Sequence, residues 1–160
     1  MKNTDGSMTS INDVKGAKGT LVIFTCNKCP FVDAWQDKMV ELGNAYMNKD
    51  IGVIFINSND PSVKGDTLEN MKALAKKVGY KFPYVQDATS DVAVNFGAKK
   101  TPDVFLFDSE MNLAYQGAVG EGGRSVGDEI WLKDALDALV AGDEVENSQT
   151  KAVGCSIKFR

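Results

Sequence analysis

The chain carries three cysteines and no histidine, and two of the cysteines, Cys26 and Cys29, stand close together in the stretch FTCNKCPF. They lie where an apolar run of β-formers, GTLVIFTC, gives way to a segment opening with Pro30, a residue tolerated in a first helical turn. A strand-to-helix junction leaves backbone N–H groups unpaired and aims the positive end of the helix dipole at the first sulfur. A lowered pKa and a thiolate near neutral pH are therefore expected at Cys26. Cys29, one turn along, can reach back, close a ring and resolve a mixed disulfide. The chemistry expected is dithiol exchange, with Cys26 as nucleophile and Cys29 as resolving thiol. Lys28 adds a positive charge that favours the thiolate if its side chain turns that way.

Other uses of the pair compete with this one. Cysteine is often no more than a small buried hydrophobe. A structural zinc or an iron–sulfur cluster needs four ligands, where the chain offers three thiols and no imidazole. Copper held by a thiolate pair draws on a nearby His or Met, and Met39 is too far down the helix. No metal and no cofactor are expected. The missing histidine also excludes Ser-His and Cys-His triads. A net charge of −4 with no Lys/Arg cluster argues against nucleic acid as a partner. The longest apolar runs, TLVIF and IGVIFI, fall far short of the ~20 residues a membrane helix needs, so no membrane is expected either. The N-terminus lacks a basic-then-apolar signal pattern, which implies a cytoplasmic chain.

The elements that must position the pair follow from periodicity and punctuation. Asp5-Gly6 between two short alternating runs predicts an N-terminal β-hairpin. GTLVIFTC and IGVIFINSND read as strands buried on both faces. Between them, Val32, Trp35, Met39, Val40, Leu42 and Met47 recur at helical spacing. DTLENMKALAKKVG predicts a helix with Asp66 as N-cap and Gly79 as C-cap, and TSDVAVNFG a short helix capped by Thr89 or Ser90. KFPYVQD contributes a short strand, and TPDVFLFD with NLAYQGAV an antiparallel pair. GDEIWLKDALDALVAG closes the pattern with a helix ended by Gly142. The 160 residues make one α/β domain with a mixed central sheet and helices on both faces, and residues 143–160 form a C-terminal tail.

Thr101-Pro102 by itself reads as an ordinary trans bond opening a strand. Taken with the order β-[C-x-x-C]-α-β-α, then T-P, then β-β-α, it makes nearly the whole chain resemble the thioredoxin superfamily and its three-layer fold. The resemblance implies that Pro102 is cis and that the Thr101 backbone holds an incoming substrate strand. CNKCPF, INSND, KFPYVQD and GCSIKF together resemble more narrowly the peroxiredoxin-like redoxins of the alkyl hydroperoxide reductase and thiol-specific antioxidant (AhpC/TSA) family. That branch often has a cysteine before Thr-Pro, where this chain has Lys100, and acidic residues where it has GEGGR. Its members usually begin earlier, which implies a strand or leader ahead of residue 1 and, with a leader, a periplasmic location.

Peroxiredoxins use P-x-x-x-T-x-x-C, and by resemblance Cys29 takes the peroxidatic position. Val22 then replaces the proline, Cys26 the threonine, and Thr25 is one residue out of register. Thiol–disulfide exchange is accordingly the first expectation, with a thiol-dependent peroxidase and a non-catalytic redox sensor as alternatives. The implied partners are protein or small-molecule disulfides or peroxides and a thiol reductant system. Cys155 is either a packed tail cysteine or a third redox thiol, paired with the C-x-x-C pair or with another chain.

Overall fold

The computed structural model describes residues 1–160. Its centre is β2 (Gly19–Phe24), all six residues of which are buried, flanked by β3 (Ile51–Asn57) and β6 (Asp103–Asp108). β4 (Tyr84–Gln86) and the short β1 (Lys2–Asn3) extend the sheet on one side, and β7 (Leu113–Gly117) on the other, in the order β1-β4-β3-β2-β6-β7. β2, β3 and β4 run parallel, and the remaining pairs are antiparallel. This is the expected mixed sheet. The unalternated apolar runs end at its middle because a strand covered on both faces has no side for polar residues.

Helices α1 (Pro30–Tyr46), α2 (Leu68–Val78) and α4 (Trp131–Ala141) cover one face, where Val32, Trp35, Met39, Met71, Leu132 and Leu136 pack with Leu21, Ile23 and Leu106. α3 (Asp91–Phe96) covers the other, where Ala93, Ala98 and Ile157 of the tail meet Val22, Phe24, Ile54 and Phe105. No helix is long and apolar enough to cross a membrane.

Three local expectations change. The N-terminal hairpin shrinks to β1 bridged to Met8 around the Asp5-Gly6 turn, with the other edge of β1 paired to β4. The N-cap of α2 is Thr67, whose hydroxyl accepts from the Asn70 amide, and Asp66 is released for another task. Ser90 does precede α3, but its hydroxyl donates to the Ser58 carbonyl instead of capping the helix.

The tail is sewn onto the sheet. Gln116 exchanges backbone hydrogen bonds with Ser148 and Thr150, and the Thr150 hydroxyl accepts from the Ala118 amide. Gly117 sits at φ 143° under this crossing, where a side chain would strike Thr150. Further on, β8 (Cys155–Ser156) pairs antiparallel with β5 (Lys100–Thr101), placing Thr101 opposite Cys155.

Candidate redox site

β2 delivers Thr25 and Cys26 at its C-terminal end, and α1 begins immediately after Cys29, its N-cap residue, with Pro30 in the first turn. From the opposite side the Thr101-Pro102 loop closes over both cysteines, and its peptide bond is cis. Cys26 Sγ lies 3.4 Å from the Thr101 hydroxyl oxygen, and Cys29 Sγ lies 3.6 Å from the Thr101 carbonyl oxygen. β8 then brings in the third sulfur, so Cys26, Cys29, Thr101, Pro102 and Cys155 occupy one place.

The bond present joins Cys29 to Cys155, 126 residues away, and Cys26 is the free thiol. The sequence expectation paired Cys29 with Cys26. The backbone pairing of β8 with β5 sets Cys155 against Cys29, with Cα atoms 6.3 Å apart, within ordinary disulfide reach.

The expected ionisation of Cys26 is also corrected. Cys26 is 1% exposed, and that burial pushes its thiol above the ordinary value of 9.0. The Thr101 hydroxyl pulls it back down, Asp66 pushes it further up, and Lys158 lowers it. Desolvation of the charged form outweighs the local donors. Lys28 is exposed, and the stem of its side chain lies along Gly65.

A buried polar cluster, which spacing alone did not single out, holds the C-x-x-C loop. The Asp66 side chain, 3% exposed, accepts from the Asn27 amide at 2.8 Å, from Asn57 at 2.9 Å and from Asn59 at 3.0 Å. Tyr84 donates to the Asn27 side chain at 2.8 Å, and Asn59 Oδ1 accepts from the Lys158 amide in the tail. One carboxylate thus ties the loop between the cysteines to β3, and Asn59 carries the connection on to the tail. The signal available beforehand was INSND, four consecutive polar residues ending an apolar strand.

The family model for the AhpC/TSA family matches residues 1–116. The chain belongs to the AhpC/TSA family. An uncharacterized conserved protein from Geobacillus kaustophilus is 38% identical, covers 100% of this chain and 87% of its own, and superposes with a TM-score of 0.94. A hypothetical protein from Sinorhizobium meliloti 1021 is 34% identical, with 100% and 90% of the two chains covered and a TM-score of 0.93. A thioredoxin-like protein from Aeropyrum pernix shares the fold at 19% identity and a TM-score of 0.62, over 89% and 87% of the chains. No curated protein matches. AhpC/TSA membership and the thioredoxin-like fold agree with the resemblance read from the motifs, and they make this a thiol redox protein.

One further ionisable group borders the site of this AhpC/TSA chain. Asp103, directly after Pro102, is 5% exposed, and burial pushes its carboxyl up to about 6 while the Lys99 and Lys100 amides pull it down. A folded-state pKa raised above the ordinary 3.8 means that the fold prefers the protonated acid. That contribution is fully present below the unfolded value and is lost as pH rises through the folded one. Asp103→Asn, neutral at all pH, is expected to exceed the parent in stability by roughly 1–3 kcal/mol at neutral pH. The gap should close toward about pH 4, near the unfolded value. Urea midpoints at acid and neutral pH check this, and equal differences at both would refute it.

Proposed function

We propose that the protein is a thiol–disulfide oxidoreductase in which Cys29 is the sulfur shared by two exchange partners, Cys155 and Cys26. In the reduced protein the Cys29 thiolate attacks one sulfur of an incoming disulfide. The substrate S–S bond breaks, one half leaves as a thiolate and takes a proton, and the other half stays bonded to Cys29. Cys155 then attacks the Cys29 sulfur, the second half departs as a thiol, and the Cys29–Cys155 bond forms. Two electrons have passed from the protein to the substrate.

The observation that carries this reading is the Cys29–Cys155 bond beside a free Cys26. Cys26 supplies a second exit, since its attack on Cys29 would close the C-x-x-C ring and free Cys155. The reverse order, with Cys26 attacking substrate first, has less support because Cys26 takes no part in the bond present. Thr101 and Pro102 act as positioning residues: the Thr101 backbone that here pairs with Cys155 offers the same edge to a substrate strand.

AhpC/TSA membership favours a second reading, a thiol peroxidase. A sulfenic acid on Cys29 condensing with the Cys155 thiol would lose water and leave the same bond. Turnover of insulin disulfides with dithiothreitol, set against hydrogen peroxide consumption under the same conditions, separates the two. Insulin reduction with background peroxide loss is expected. Consumption of peroxide alone would replace exchange with peroxidation, and activity toward neither, with the bond still cycling, would make the protein a sensor.

A further inference from the structure

The end of the tail is held mainly through its backbone. Thr101 stands opposite Cys155 and Lys100 opposite Ser156 in the β5–β8 pair, and the Ile157 amide donates to the Lys99 carbonyl. The Lys158 amide donates to Asn59 Oδ1 at 2.8 Å, and its carbonyl accepts from the Asp60 amide at 2.7 Å. The Arg160 amide donates to Ser90 Oγ at 3.0 Å. Main-chain bonds of this kind serve any extended segment, whatever its sequence. The β5 edge, Asn59, Asp60 and Ser90 thus form a groove for one added strand, with Cys29 beside it.

Three tail positions do depend on the side chain. Cys155 brings its sulfur to Cys29. Ile157, two residues on, is 5% exposed and joins the apolar cluster of Val22, Phe24, Ile54 and Phe105. Between them Ser156 is exposed, as strand alternation requires. Gly154 has no room for a side chain, since a Cβ would strike the Thr101 carbonyl and crowd the Pro102 nitrogen. The groove therefore accepts glycine, then cysteine, then an unrestricted residue, then an aliphatic one.

We propose that the tail is seated as a substrate would be, and that the proteins reduced here present their cysteine in an extended Gly-Cys-x-aliphatic segment. This rests on the exchange reading of the site. With the tail displaced, the segment pairs with β5 and the Cys29 thiolate attacks its sulfur. The segment's own disulfide breaks, the far half leaves with the electron pair and takes a proton, and the segment stays bonded to Cys29. Cys26 or the returning Cys155 then gives up its proton and attacks Cys29. The segment departs as a thiol, one disulfide forms in the protein, and two electrons have passed to the substrate.

Peptides test this with the protein unaltered. Residues 152–159, AVGCSIKF, would be made as a mixed disulfide with thionitrobenzoate, whose release is coloured. Three further peptides carry Gly154→Ala, Ile157→Asp or Ser156→Ala. Each rate with the reduced full-length protein is divided by the rate with dithiothreitol, which removes differences in intrinsic reactivity. The parent peptide is expected to react at least about tenfold faster than the Gly154→Ala and Ile157→Asp peptides, and within about twofold of the Ser156→Ala peptide. Equal normalised rates for all four would overturn the proposal and leave the exchange reading intact, whereas no reaction with any of them would overturn both.

Discussion

Replacing Cys29 with serine is expected to reduce disulfide exchange to background, a loss on the order of 10³-fold or more. Cys29 is the one sulfur that takes part in both available bonds, with Cys155 in the disulfide present and with Cys26 through the C-x-x-C spacing. Its removal leaves two thiols with no shared partner, and both Cys26 and Cys155 should then titrate as free. The bond it forms closes a loop across 126 positions, so its loss should also lower unfolding free energy by about 2–4 kcal/mol. Cys26→Ser serves as the contrast: it should keep the Cys29–Cys155 bond and that increment of stability. Thiol counting under denaturing conditions, insulin turnover and urea midpoints measure the three effects. Substantial turnover in Cys29→Ser would mean that Cys26 works without it, and the shared-sulfur mechanism would be lost.

Gly154→Ala carries the second large effect. A Cβ at this position would land on the Thr101 carbonyl oxygen and lie 3.2 Å from the Pro102 nitrogen. Both are backbone atoms of the loop that closes over the cysteines, so neither swings aside as a side-chain tip would. The backbone of Gly154 is outside the left-handed region, which makes the obstruction steric. β8 would lift from β5, and Cys155 would lose its register against Thr101. The expected outcome is a protein with most of its Cys29 and Cys155 reduced after air oxidation, and exchange that requires Cys155 slowed at least about tenfold. The main sheet should persist, because β8 contributes only Ser156 and half-buried Cys155 beside it. Maleimide labelling under non-reducing conditions, alongside circular dichroism, gives the readout. A fully formed Cys29–Cys155 bond in this variant would show that strand pairing does not set the partner of Cys29.

Much of the architecture was legible in the chain itself. β2 and β3 announced their central place through unalternated apolar runs, and Gly79, Gly97 and Gly142 marked helix ends, because burial on two faces and left-handed caps each demand particular residue types. The C-x-x-C junction and Thr101-Pro102 were readable for a similar reason: both lie at the ends of strong elements whose order along the chain resembles a known family.

The partner of Cys29 and the charge state of Cys26 were decided only by the tertiary structure. Two-residue spacing makes Cys26 the nearest sulfur along the chain, but bond formation depends on distance in space. That distance is set by a two-residue strand pairing, Thr101 with Cys155, too short to leave a periodic signal. The helix-dipole argument was sound for a sulfur in contact with water. Burial of Cys26 beneath Thr101 removed that water, and desolvation, which no local motif encodes, set the direction of its pKa. Local chemistry is written in neighbouring residue types, whereas dielectric environment and long-range contact belong to the packed chain.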